Sequence, residues 1–106
     1  MRTAKKLAQT ALSSSTTTIY TAPTSTSSQI VEIWIANNSV DTARTVTIYT
    51  HGTSSINILV PGLSIPALDF KTIDNSKIVL AAGETISMKQ NTGTDITVTL
   101  YGVESV

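Results

Sequence analysis

His51 is the chain's one histidine, and it falls beside Gly52 in a run that reads as a turn. A hydrolytic triad needs such a group between a hydroxyl and a carboxylate, and Asp41 and Asp74 are the acids a fold could bring to it. No G-x-S-x-G elbow presents a serine for that purpose, and with 13 serines in the chain some Ser–His approach is a matter of chance. The plainer reading is a solvated loop histidine. The acids Glu32, Asp41, Asp69, Asp74, Glu84, Asp95 and Glu104 are scattered singly. They make neither the D-x-D-x-D loop of a calcium site nor, with a lone histidine, the H-x-x-x-H pair of a zinc helix. An acid and base pair for glycoside hydrolysis would need a cleft lined by aromatic rings. One Trp, three Tyr and one Phe are too few to furnish it. The absence of cysteine removes disulfides and thiolate metal sites. We therefore assign no catalytic, cofactor-binding or metal-binding residue and expect a protein that is not an enzyme.

What remains is the chemistry of contact. Arg2, Lys5 and Lys6 form the one cluster of like charge, next to the apolar Leu7. Three phosphate contacts would hold nucleic acid weakly at physiological salt, and seven acids against seven bases leave no net field to attract it. Neither nucleic acid nor a membrane is an expected partner. The amphipathic rings Tyr20, Trp34, Tyr49 and Tyr101 belong to residue types enriched at the cores of protein interfaces. With Arg2, Lys5, Lys6 and Leu7 they make up the candidate subunit interface, and other copies of the chain are the expected partners. Asn37-Asn38-Ser39 matches the N-glycosylation pattern but reads as a turn. The opening MRTAKKLAQTAL is basic without a signal-peptide apolar core, and no run approaches the roughly 20 apolar residues of a membrane helix. The expectation is a protein made and soluble in the cytoplasm.

The elements that would position these groups are strands. The chain has 106 residues, room for one domain, and its 19 Thr favour a pleated, half-buried surface. Alternating runs separated by turn signals occur at 16–21, 29–37, 44–50, 56–60, 65–71, 77–80, 85–89 and 95–103. In the 29–37 run Val31, Ile33 and Ile35 make the natural core face, which turns Ile30, Glu32 and Trp34 the other way. Val46 and Ile48 point inward with Tyr49 outward. Ile86 and Met88, then Ile96, Val98 and Leu100, form further inward faces. Pro61-Gly62 reads as a stop. Residues 1–12 are expected to form an extended N-terminal arm ahead of a domain over 13–106, because SSSTTT follows at once and is poor helix material. The fold class is all-β: a two-sheet antiparallel β-sandwich of about eight strands, either jelly-roll-like or Ig-like.

Taken in order, KKLAQTAL, TTTIYTAP, QIVEIWIANNS, RTVTIYTHG and KIVLAAGETISMKQNTGTDITVTLYGVE resemble a group of small structural proteins of tailed bacteriophages. The resemblance runs from Lys5 to Glu104 and is loosest over residues 54–75. It includes the Leu80 to Ile86 turn and the closing Gly102-Val103-Glu104. It implies a β-sandwich subunit of the virion, present as a capsid decoration, neck or tail-associated protein, with no catalytic residues. The partners implied are other copies of the chain and other virion proteins, and the location implied is the virion after assembly in the host cytoplasm. Capsid decoration is the favoured position. A carbohydrate- or receptor-binding sandwich using Trp34 or a Tyr as a platform is the alternative.

Overall fold

The computed structural model describes residues 2–105, with side chains except at residues 2 and 75–77. Among the described residues there are eight strands: β1 (Arg2–Ala11), β2 (Thr17–Thr21), β3 (Ser27–Asn37), β4 (Arg44–Thr50), β5 (Ile58–Ile65), β6 (Phe70–Leu80), β7 (Thr85–Gln90) and β8 (Ile96–Ser105). One 3-10 turn, Ser55–Asn57, precedes β5. The strands form two antiparallel four-stranded sheets. Sheet A has the order β1-β8-β3-β6 and sheet B the order β2-β7-β4-β5. Distributing the chain between two sheets in this way is the jelly-roll form of the β-sandwich. Of the two topologies considered from sequence, the Ig-like one is not adopted.

The inward faces follow the period of two. Val46 and Ile48 on β4, Ile86 and Met88 on β7, and Ile96, Val98 and Leu100 on β8 are all fully buried. Each such side chain contributes on the order of 1.5–3 kcal/mol of hydrophobic stabilisation. Strand β3 departs from the simple alternation. Its register to β8 shifts between Ile30, opposite Gly102, and Glu32, opposite Tyr101, which leaves Val31 as an extra residue. A bulge of this kind reverses the phase of everything before it. The buried set is consequently Ile30, Ile33 and Ile35, and Val31 leaves the core face that strict alternation assigns to it.

Residues 2–12 do not stand apart from the domain. Strand β1 pairs along β8 from Arg2, opposite Ser105, to Ala11, opposite Thr97, with a register shift at Leu7. Its end is pinned where the chain crosses to sheet B. Leu12 N–H donates to the Ile96 carbonyl at 2.8 Å, Gln90 Nε2 donates to the Leu12 carbonyl at 2.7 Å, and the Leu12 side chain is buried. The arm of the sequence reading is thus an edge strand of sheet A.

Pro61-Gly62 also fails to end a strand. β5 lies at the edge of sheet B, where a missing N–H can face away from the ladder, and its register to β4 shifts between Leu63 and Val60 to absorb the dipeptide. Ile65 then closes β5 rather than opening the next strand. β6 runs as one element through the region that the sequence divides into two runs. Between β5 and β6 the turn is closed by Asp69 N–H to the Pro66 carbonyl at 3.3 Å, and it carries Leu68 at φ +53°. An exposed leucine in the left-handed region costs about 1–2 kcal/mol, because its Cβ crowds the following carbonyl.

Candidate assembly surface

His51 Nδ1 lies 2.9 Å from the Glu84 carboxylate, so its acidic neighbour is neither Asp41 nor Asp74. His51 itself has φ +65°, and its N–H donates to the Thr85 carbonyl, which ties the β4–β5 turn to the start of β7. The Ala81 N–H, and after it His51, hold the Glu84 carboxyl below its usual value. This is the bonding of a turn brace. Among the described residues no group of three or more His, Asp and Glu comes together at metal-binding range. Asn37, the sequon residue, is buried: its Nδ2 donates to the carbonyls of Thr42 (2.9 Å) and Ile65 (3.0 Å) and its Oδ1 accepts from Ser39 N–H at 2.9 Å. A nitrogen so engaged is closed to glycan attachment in the folded chain, and the segment is the turn its sequence suggests.

The interface candidates divide into two groups. Tyr20 belongs to the core. Its hydroxyl donates to Glu104 and shares a 2.7 Å hydrogen bond with Ser28 Oγ. Burial, and then the bond to Glu104, raise the Tyr20 phenol above its ordinary value of 10.0. Tyr49 is in the outward phase of β4 but is buried as well, between its cross-strand neighbours Ser87 and Ile58. Neither ring is available to a partner. Leu7 sits half-buried at the β1 bulge and packs on the core. Lys5 pairs with Glu104 at 2.8 Å, and Lys6 Nζ donates to Gln9 Oε1 at 3.3 Å. The Arg2 side chain lies outside the described residues, although its backbone pairs with Ser105.

Trp34 and Tyr101 are the two that face outward, both on sheet A, at 39% and 43% exposure. The bulge at Val31 restores the phase so that Glu32 and Trp34 stand on the outer face. Trp34 Nε1 donates to the Glu32 carboxylate two residues away. Its ring stacks on Phe70 of β6, with centroids 5.4 Å apart and planes 16° from parallel. Phe70, 53% exposed, is the residue that sequence reading missed. The signal available was the alternation of Phe70, Thr72 and Asp74 around the inward Ile73, obscured by the Pro66 turn just before it. Val79, also exposed, extends the apolar surface along β6.

At the other half of the same face the two bulges meet. Val31 of β3 and Leu7 of β1 flank β8 at Gly102, where an added Cβ would lie 2.3 Å from the Gln29 carbonyl oxygen and 2.7 Å from Leu7 Cδ1. Only glycine fits so close an approach of backbones. Above it is an open depression of about 430 Å³, walled by Ala4, Val31, Tyr101 and Val103 with Lys5 and Lys6 at the rim. The outer face of sheet A therefore offers an aromatic ridge at one end and an apolar hollow at the other. Such surfaces suit protein contact.

No family model matches the chain, and no curated protein matches it. Among solved structures it is similar to a chain of the Bacillus endospore appendages, which form a novel family of disulfide-linked pili. The likeness has a TM-score of 0.59 at 8% identity and covers all of this chain and 88% of that one. At that identity the likeness is one of fold.

Proposed function

We propose that this chain is a non-catalytic structural subunit that works by packing into a larger particle through the outer face of sheet A. The observation that carries the reading is the exposed Trp34–Phe70 stack on a sheet face that also carries Tyr101 and Val79. Two large rings held against each other in water lose little freedom on meeting a partner, which is the economy of an interface anchor. The particle we propose is the virion of a tailed bacteriophage, on the ordered sequence resemblance from Lys5 to Glu104. Capsid decoration is the proposed position, and a neck or tail ring is the alternative within the same class. Its partners are other copies of itself and the underlying virion proteins, and repetition over a lattice lets weak single contacts suffice. The pili of the similar structure are disulfide-linked. This chain has no cysteine, so any polymer it forms is held without disulfides. A sugar platform is the weaker reading, because Phe70 already takes one face of the indole and Glu32 takes its N–H.

Cryo-electron microscopy of purified source particles tests the proposal. The expected result is density for this fold on the capsid lattice with Trp34 and Phe70 covered by a neighbour. Copies that leave this face bare, or particles without any copy, would refute it.

A further inference from the structure

The geometry points to a head-to-tail contact between copies of this chain, in which the paired loops carrying Val40 and Leu68 seat in the sheet A depression of the next copy. The inference rests on the assembly reading above and gives it a direction.

Val40 and Leu68 are among the most exposed apolar side chains of the molecule, at 76% and 67%. They lie on separate loops that are fastened together, because Leu68 N–H donates to the Ser39 carbonyl at 3.0 Å. A second brace, Asn38 N–H to the Asp95 carbonyl at 2.9 Å, fixes the first loop to the start of β8. The result is a firm apolar knob rather than two loose tips. Each apolar residue is followed by an acid, Asp41 and Asp69. Both acids use Oδ1 locally, Asp41 with Thr42 and Ser39 and Asp69 with Phe70 N–H. The hollow has the opposite character: apolar walls from Val31, Tyr101 and Val103, with Lys5 and Lys6 at the rim. Lys5 is already paired with Glu104, which leaves Lys6 as the rim cation held by nothing stronger than its exposed bond to Gln9. An apolar knob with two carboxylates thus complements an apolar hollow beside an ammonium that no carboxylate yet neutralises among the described residues.

One copy cannot satisfy itself. From Val31 to Asn37 the chain runs six residues along β3, roughly 20 Å at about 3.3 Å per residue, and the knob lies beyond Asn37. Knob and hollow are therefore at opposite ends of sheet A, and their union between copies is heterologous. Repeated, it gives a closed ring or an open row. The hollow alone is far smaller than the roughly 800 Å² per partner of a stable standard interface. The contact is accordingly weak in solution and gains strength only when the aromatic ridge of sheet A is also engaged.

The cysteine-free sequence makes the test clean. Untagged Val31→Cys and Leu68→Cys proteins are mixed under mild oxidation, and the double variant is oxidised alone. An intramolecular bridge is excluded, because disulfides need Cα atoms within about 7 Å. The expected result is a heterodimer several-fold more abundant than either homodimer, and a ladder or ring from the double variant. Lys6→Glu should suppress the heterodimer and Asp69→Lys should restore it. If Val31→Cys disturbs the bulge, as read by circular dichroism, Tyr101→Cys takes its place. Predominant Leu68→Cys homodimers would overturn the proposal in favour of loops meeting loops. Absence of cross-links in protein that sediments as an oligomer would overturn this contact and leave the assembly reading standing. Absence of cross-links in protein that stays monomeric would overturn the contact and count against self-assembly altogether.

Discussion

Tyr20 and Glu104 join the two sheets of this sandwich from positions 84 residues apart, the hydroxyl of one donating to the carboxylate of the other. Glu104 also pairs with Lys5 of β1, so one carboxylate ties the edge strand of sheet A, the last strand and the first strand of sheet B.

That arrangement makes stability depend on pH at both ends. The Lys5 ammonium, and after it the Tyr20 hydroxyl, hold the Glu104 carboxyl below its ordinary 4.5. A depressed carboxylate contributes stability that is present above its unfolded value and is lost as pH falls through the folded one. Tyr20 has the opposite sign: its raised phenol contributes below its ordinary 10.0, and the contribution disappears as pH rises toward the folded value. Thermal melts across pH should show Tm falling below about pH 4.5 and above about pH 10. Glu104→Gln should flatten the acid limb and Tyr20→Phe the alkaline one.

Gly102→Ala should be poorly tolerated. Its new methyl would meet the Gln29 backbone oxygen, which cannot swing aside as a side chain would. Overpacking of this kind costs about 1–3 kcal/mol. Denaturant unfolding measures it, and a variant as stable as the parent would show that sheet A relaxes freely at the bulges.

Asn37→Ala removes one side chain that serves three backbone groups of the loops after β3 and β5. Leaving buried backbone groups without partners costs on the order of 1–3 kcal/mol apiece before water enters, so a loss of roughly 3 kcal/mol is expected in chemical denaturation. Val40 and Leu68 should become mobile together in this variant, visible as faster amide exchange across both loops.

Leu12→Ala tests the status of the first strand. Leu12 follows a strand of mostly exposed residues, yet it is itself buried and its backbone is bonded to both sheets. A loss of about 2–5 kcal/mol is expected. Deletion of residues 1–12 should cost at least as much, since it also uncovers one edge of β8. A truncated protein that unfolds at the parent's denaturant concentration would restore the view of an arm that stands outside the folded domain.

Trp34→Ala should separate folding from assembly. The ring is partly exposed, and its loss removes a stacking contact with Phe70 worth about 0.5–1.5 kcal/mol, so the melt should change little. Incorporation into particles, scored by competition against the parent chain, should fall at least several-fold.

The parts of this fold legible in the sequence are those where one physical rule acts alone. Strands β4, β7 and β8 alternate cleanly, and Val46, Ile48, Ile86, Met88, Val98 and Leu100 all point where their spacing says. Reading failed where two strands had to fit each other. The phase slip at Val31 is invisible in β3 by itself, because it exists only relative to the strands on either side, β8 and β6. Pro61 looks like a stop until β5 is known to be an edge strand, where the missing N–H costs nothing. The site was half visible for the same reason. Trp34 is exposed as expected, but Phe70 enters only through its pairing with β3, and Tyr20 reads as an interface ring because the carboxylate that satisfies its hydroxyl inside the sandwich lies at the far end of the sequence.

Arg2 stands opposite Ser105, so the first and last described strands leave the sandwich side by side, and Ala4 and Val103 at the edge of the hollow are two residues further in. A histidine tag or fluorescent protein joined at residue 2 or residue 105 would start about 7 Å from that hollow along the strand. Fusion at one terminus therefore blocks the same surface as fusion at the other, and tagged preparations should behave as chain stoppers, able to offer a knob but unable to receive one. Doped into untagged protein at increasing ratio, they would shorten any row of subunits in proportion and give a direct readout of its polarity.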